Sequence, residues 1–340
     1  MVGFLSHHYY WEIMNRDSTF DVARSVAIVI IVNCHFFLFR GCDGMGQIGG
    51  YLGGVGNFIF FAISAVLFGL RYEQKGASAF EAKPFMKKRL VRLFASLWPF
   101  LIVILTIYSS IGVEYNIVKA AMNFVGLGWF GKLPNIGHLW FVTMIIFCYT
   151  MYVCVAKTQI INRLNRGGYL WIILLLIIML LHVAVDYIGQ PGYLFMVLFY
   201  SLWFFGNASR FMAFVERMKV SWLWMIFIVC NSVALATCYH GDYPFAISIQ
   251  RFACYLSGLS WLMVLLRYGK YVKPYGWLMF LSGTSYEIYL VHHAMCSGAL
   301  SVIHATDHPI VNYIILWVYS CFMGWLLKFV GNRINGLVMR

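Results

Sequence analysis

The chain contains 340 residues, of which 62% are hydrophobic and only 11% are charged. Soluble globular proteins contain about 45–50% apolar and about 25% charged residues. A soluble protein of this composition could not bury its apolar surface, so we expect the lipid bilayer to be the main solvent. The formal net charge of +13 would suggest nucleic-acid binding in a soluble protein. In a membrane protein its meaning depends on where the cations lie along the chain.

Ten apolar stretches are long enough to be membrane spans, since a helix crosses the bilayer core in about 20 residues. They cover residues 20–39, 48–70, 93–111, 139–156, 169–188, 192–208, 222–239, 245–266, 277–296 and 310–330. The pattern predicts an all-α, polytopic membrane bundle of about ten transmembrane helices. We expect residues 1–340 to form a single integral-membrane domain, with its spans within about 19–331 and no appended soluble domain.

The cations predict the orientation of this bundle. With the N-terminus placed in the cytoplasm, 21 of the 25 Lys and Arg residues fall in inner segments. The outer segments hold only Arg40, Lys119, Lys132 and Arg251. Because cytoplasmic loops carry an excess of Lys and Arg, this asymmetry predicts that both termini are cytoplasmic. It also explains the net charge, so we expect no nucleic-acid partner.

The segment 113–135 is the one ambiguous stretch of the topology. Its apolar piece, residues 117–129, is shorter than a span. If it crossed the membrane, every later loop would change sides and the charge asymmetry would collapse. We therefore expect it to lie at the interface or to re-enter the membrane rather than to span it.

Two further composition features have structural interpretations. The nine cysteines show no metal-ligand spacing, and most lie inside apolar runs, so we expect neither a metal site nor a disulfide framework. Five glycines crowd the start of the second span, a pattern typical of helices that pack closely through small residues. These are Gly49, Gly50, Gly53, Gly54 and Gly56.

Ionisable residues inside spans are expensive and mark candidate functional sites. The first span carries Asp21, Arg24 and His35. Arg24 and His35 are eleven residues apart, which places them on one helix face and ~16 Å apart along the axis. Histidine is the usual general base near neutral pH. The alternative is structural: Arg24 would reach the headgroups, and His35 would be a hydrogen-bonded core residue.

A second group precedes the third span. Arg89 and Arg92 are three residues apart and share a helix face at the predicted cytoplasmic surface. Paired guanidinium groups suit a ligand that carries phosphate. They could equally hold anionic lipid headgroups.

Two further groups are weaker candidates for lining a site. His138 and Trp140 stand at the outer mouth of the fourth span, where an interfacial aromatic belt is the simpler interpretation. Ser285, Tyr289 and His292 share one face of the ninth span by their spacing. Hydrogen bonds within the bundle core remain an alternative for this second set.

In this order, these groups resemble the acyltransferase 3 family of integral-membrane acyltransferases, over about residues 16–330. The family's Asp-x-x-Arg start and Arg-x10-His spacing match Asp21, Arg24 and His35. Its other motifs match Gly56, Phe60, Phe61 and Ser64 in the second span, Arg89 and Arg92, residues 138–141, and residues 285–292. The chain departs from the family pattern at Ser25, Asn57 and Ala65.

The resemblance implies transfer of an acyl group, usually acetyl, from cytoplasmic acyl-coenzyme A (acyl-CoA) to a hydroxyl of a carbohydrate. The acceptor would be a cell-envelope or exported glycan or its lipid-linked precursor, and the location a bacterial inner or plasma membrane. His35 would be the general base or a transient acyl carrier. Arg24 with Asp21 would support the site, and Arg89 and Arg92 would bind the donor phosphates. Acyl-CoA serves as co-substrate, with no metal.

Two rival classes remain open at this stage. Buried His and Arg residues are equally natural in a transporter or flippase of a glycan or small anionic substrate. A non-catalytic membrane partner in glycan assembly is the third interpretation, and it predicts no donor binding. The expected molecular partners are acyl-CoA, the carbohydrate acceptor and membrane lipids.

Overall fold

A computed structural model describes residues 18–40, 45–76, 81–158, 160–187, 192–239, 246–273 and 275–339. These residues form thirteen α-helices and, within those ranges, no strand. The helices are α1 Ser18–Arg40, α2 Met45–Lys75, α3 Ala82–Ser110, α4 Ile117–Phe124, α5 Trp140–Ala156, α6 Ile160–Arg166, α7 Gly168–Tyr187, α8 Tyr193–Gly206, α9 Ala208–Arg217, α10 Val220–Tyr239, α11 Ala246–Tyr268, α12 Gly276–Cys296 and α13 Pro309–Val338.

Each of the ten predicted spans coincides with one helix, although the predicted ends at residues 188 and 245 lie outside the described residues. Eight of these helices are long and apolar enough to cross a membrane. Of the other two, α8 has 14 residues, and α12 has 21 residues that include Glu287, His292 and His293. The prediction of an all-α polytopic membrane bundle is confirmed, and its orientation stays a prediction.

The ambiguous segment contains only a short helix, α4. Its eight residues span ~12 Å at 1.5 Å per residue, too little to cross a ~30 Å hydrocarbon core. The Asn116 side chain caps it by accepting hydrogen bonds from the backbone of Val118 and Lys119. The Trp98 indole donates to the carbonyl of Phe124 at 2.8 Å and ties this helix to α3. As expected, the segment does not form a span.

Helices α1, α2 and α12 form the centre of the bundle. α1 packs against both α2 and α12, and α2 also contacts α8 and α11. By contrast, only 11% of the apolar window of α7 and of α10 is buried within the protein. Their exposed Leu, Ile, Val and Trp side chains suit contact with lipid. The functional groups of the first and ninth spans therefore lie on neighbouring central helices.

The glycines at the start of α2 permit its close approach to α1. A Cβ atom on Gly49 would lie 2.7 Å from Leu38 Cγ and 2.9 Å from the carbonyl oxygen of Cys34. A Cβ on Gly53 would lie 2.9 Å from Cys34 Sγ. Small residues at this interface let the two backbones pack tightly, as the sequence predicts.

This packing predicts opposite effects for two glycine substitutions in α2. Gly49→Ala should lower the thermal unfolding midpoint, because overpacking typically costs about 1–3 kcal/mol. Gly46→Ala should leave it unchanged or raise it, because no atom lies within 4 Å of that Cβ position and Ala favours a helix by roughly 0.5–1 kcal/mol. Thermal unfolding of both variants in detergent checks this, and equal midpoints would contradict the packing account.

Candidate active site

A cavity of about 680 Å³ opens between α1, α2, α3, α5, α12 and α13. It is lined by five cations and one carboxylate, which are Arg24, Arg71, Arg89, Arg92, Lys328 and Asp21. Each of these residues lies near one end of its helix, which is the end that the charge pattern predicts to be cytoplasmic. The fold therefore gathers cations from four separate helices into one cavity.

Arg24 is held at the cavity wall by α1 and α12 together. Its guanidinium donates to Asp21 Oδ1 at 2.9 Å and to Ser282 Oγ at 3.2 Å. The Ser282 hydroxyl in turn donates to Asp21. Ser25 adds a second link by donating to the carbonyl of Leu278 at 2.9 Å. This network explains how an arginine inside a span is compensated and kept in place.

The other four cations lack a direct ion pair of this kind. Among the described residues, Arg71, Arg89, Arg92 and Lys328 form no ion pair with a carboxylate. The Arg89 guanidinium lies over the ring of Phe68, 4.4 Å from its centre, which holds it in place without neutralising it. Clustered cations of this kind make the cavity strongly attractive to an anion.

Aromatic side chains lie where the cavity reaches the middle of the bundle. Phe141 and Tyr289 both line it, with ring centroids 4.8 Å apart. The Tyr289 hydroxyl donates to the carbonyl of His138. The Tyr289 ring lies 5.1 Å from the ring of His138 and 5.7 Å from that of His292. Tyr289 thus lies between the cavity and a group of histidines.

Four histidines form a cluster beyond Tyr289. His35 and His292 are joined by a 2.9 Å contact between Nδ1 of His35 and Nε2 of His292. The ring of His293 lies 4.6 Å from that of His35 and stacks on that of His138 at 4.5 Å. Helices α1 and α12 and the 3₁₀ turn Gly137–Leu139 that precedes α5 supply these residues. The cluster concentrates acid–base groups on the α1 face that also carries Arg24.

The structure sorts the residues singled out in the sequence into three places. Six of them line the cavity: Asp21, Arg24, Arg89, Arg92, Ser285 and Tyr289. His35, His138 and His292 form the cluster beyond it and do not line the cavity. Trp140 belongs to neither group, and its ring lies 6.1 Å from Trp129 and 5.1 Å from Tyr193.

Sequence reasoning missed three residues of this arrangement. Arg71 and Lys328 line the cavity, yet in the sequence they are only part of the cytoplasmic charge excess. The Lys328 Nζ atom lies 2.8 Å from where a Cβ of Gly283 would be, so that glycine leaves room for it. His293 joins the cluster but was not singled out in the sequence. Its position directly after His292 was the signal that could have identified it.

Among the described residues, no group of three or more His, Cys, Asp or Glu side chains is arranged to hold a metal ion. Five of the eight ring nitrogens of the cluster contact backbone carbonyls or one another, and Nδ1 of His138 is buried without a partner. The arrangement is suited to hydrogen bonding and proton transfer at one end and to anion binding at the other.

Comparison with known proteins adds one finding. A family model described as an acyltransferase domain, acyltransferase 3, matches residues 17–331, which include every residue of the cavity and the histidine cluster. No curated protein and no solved structure matches the chain. Because the match covers nearly all of the chain, this multi-pass membrane protein belongs to the acyltransferase 3 family.

Proposed function

We propose that the protein transfers an acyl group, acetyl in the simplest case, from cytoplasmic acyl-CoA to a hydroxyl of a carbohydrate. The observation that carries this proposal is the cavity, with its cations at one end and the histidine cluster beyond the other. We propose a cell-envelope or exported glycan, or its lipid-linked precursor, as the acceptor and a bacterial inner membrane as the location.

The charge of the cavity supports CoA as the donor. Five cations face one carboxylate, and CoA carries a diphosphate and a phosphate monoester with about four negative charges in total. Guanidinium groups bind phosphate oxygens through two parallel hydrogen bonds. Arg89 and Arg92 would hold the donor phosphates, with Arg71 and Lys328 adding to the attraction. Arg24, which Asp21 and Ser282 already hold, would define the inner wall along which the donor enters.

The length of the site supports an extended ligand. Arg24 and His35 are ~16 Å apart along α1, and Tyr289 stands between the cavity and His35's neighbours. The pantetheine arm of CoA is a long, thin chain that could pass beside Tyr289 and bring its thioester to His35. A compact anion bound at the arginines would not reach the histidines.

The proposed chemistry needs one general base and returns its proton at the end. The imidazole of His35 accepts the proton of the acceptor hydroxyl as the oxygen attacks the thioester carbonyl. The C–S bond then breaks, and the departing thiolate takes the proton back from His35. The products are the O-acyl ester and the free CoA thiol, so atoms and charge balance without a further reactant.

Removal of the imidazole should abolish this chemistry. We expect His35→Ala to reduce acetyl transfer by on the order of 10²–10⁴-fold, the usual contribution of a general base. The measurement is transfer of labelled acetyl from acetyl-CoA to the glycan fraction of membranes at matched protein levels. His308→Ala, at an exposed histidine outside the cluster, is the control. Wild-type activity in His35→Ala would refute the catalytic role.

Removal of the arginine pair should weaken only donors that carry phosphate. Hydrogen bonds to charged groups contribute about 1.5–3 kcal/mol each, so Arg89→Ala/Arg92→Ala should lower kcat/KM for acetyl-CoA by roughly 100-fold. The kcat/KM for acetyl-pantetheine, which lacks phosphate, should equal that of the wild type.

The matched control for this pair is Lys87→Ala/Lys88→Ala, at two exposed lysines of the same helix that do not line the cavity. It should behave as the wild type with both donors. An equal loss for acetyl-CoA and acetyl-pantetheine in the arginine variant would show that the arginines do not bind phosphate. Donor-independent movement of a glycan across the membrane would instead favour the transporter class.

A further inference from the structure

His35 and His292 each direct one ring nitrogen to the backbone of their own helix. The Nδ1 atom of His35 lies 3.1 Å from the carbonyl oxygen of Ile31. The Nδ1 atom of His292 lies 3.0 Å from the carbonyl oxygen of Ile288. A carbonyl oxygen only accepts hydrogen bonds, so in each neutral ring the proton belongs on Nδ1. The Nε2 atom of each ring then carries a lone pair.

The contact between the two rings agrees with this assignment. His292 Nε2, with its lone pair, lies 2.9 Å from His35 Nδ1. The His35 N–H group is therefore shared between His292 and the carbonyl of Ile31. The opposite assignment would turn the lone pairs of both Nδ1 atoms toward carbonyl oxygens and lose both hydrogen bonds to the backbone. The hydrogen positions thus follow from the partners, and they leave His35 Nε2 without a proton.

The other two rings of the cluster do not disturb this lone pair. His293 directs Nδ1 to the carbonyl of Asn135 at 2.7 Å, and His138 directs Nε2 to the carbonyl of Leu290 at 3.1 Å. Each neutral ring has a single N–H group, and each is used on a backbone carbonyl. Neither ring therefore has an N–H left to donate to His35 Nε2, although both rings face His35. Phe39, stacked on His35, has no N–H or O–H group.

We propose that His292 is a positioning residue that holds His35 as the Nδ1–H tautomer, so that Nε2 is the atom that takes the acceptor's proton. This inference rests on the proposed function. A base that must hold one tautomer gains from a fixed acceptor behind it, as a carboxylate provides in serine proteases; here a neutral imidazole has that place. When Nε2 is protonated, the Nδ1–H group becomes charged and its bond to His292 strengthens. Nε2 then returns its proton to the CoA thiolate.

Two substitutions of His292 separate positioning from packing. In His292→Leu the acceptor for the His35 N–H group is lost, and kcat should fall by on the order of 100-fold, within the range for general base catalysis. KM for acetyl-CoA should stay the same, because the cations of the cavity are untouched. In His292→Gln the side-chain carbonyl can accept the same N–H group, so kcat should remain within about tenfold of the wild type. His308→Leu is the control and should match the wild type.

The proposal is overturned if kcat in His292→Leu stays within about twofold of the wild type, or if both His292 variants lose the same activity. A second measurement does not depend on activity or on a variant. In ¹⁵N-histidine-labelled wild-type protein in lipid, solid-state nuclear magnetic resonance should show His35 protonated at Nδ1 and not at Nε2. The opposite tautomer would overturn the inference even in an active enzyme. A protein with the expected tautomer but no acyl transfer would refute the proposed function alone.

Discussion

Charged and strongly polar groups inside a membrane protein must face protein or water, because hydrocarbon cannot compensate them. The whole site of this protein follows from that constraint. Arg24, Arg71, Arg89, Arg92 and Lys328 come from four helices, and all turn to one cavity rather than to lipid. The cavity is positively charged because, of these five cations, only Arg24 forms an ion pair with a carboxylate of the described residues. A phosphate-bearing donor would supply the missing negative charge.

The central pair α1 and α12 carries both ends of the site. At the inner end Ser282 contacts Asp21 and Arg24, and at the other end His292 contacts His35. His35 follows Arg24 by eleven residues and His292 follows Ser282 by ten, so the two helices run in the same direction with matched register. Because each helix is stiff, the distance from the arginine to the base is set by helix geometry. A long donor arm suits that fixed distance.

Much of the fold follows from the sequence, because hydrocarbon thickness and helix geometry leave few choices for apolar runs of this length. The short segment 113–135 is also predictable, since its apolar piece is too short to span. The structure places Arg24, Arg89 and Arg92 in one cavity. Their roles stay predictions until donor binding is measured.

Other features depend on which helices are neighbours, and helix periodicity alone does not determine this. Lys328 belongs to the cavity only because α13 packs against α12 beside Gly283. His293 belongs to the cluster because the turn before α5 brings Asn135 and His138 to its ring. Trp140 follows His138 by two residues, and the rotation of the helix turns it to Tyr193 and away from the cavity. Such placements come from packing between elements distant in sequence.

The central proposal is that the donor binds at the cations of the cavity and reaches past Tyr289 to His35. Its most direct test is a cryo-electron microscopy map of the full-length protein in lipid nanodiscs with acetyl-CoA bound. The account predicts phosphate density in contact with Arg89 and Arg92, and an arm that passes Tyr289 and ends at His35. Donor density outside the cavity, or an acetyl group directed away from the histidine cluster, would contradict it.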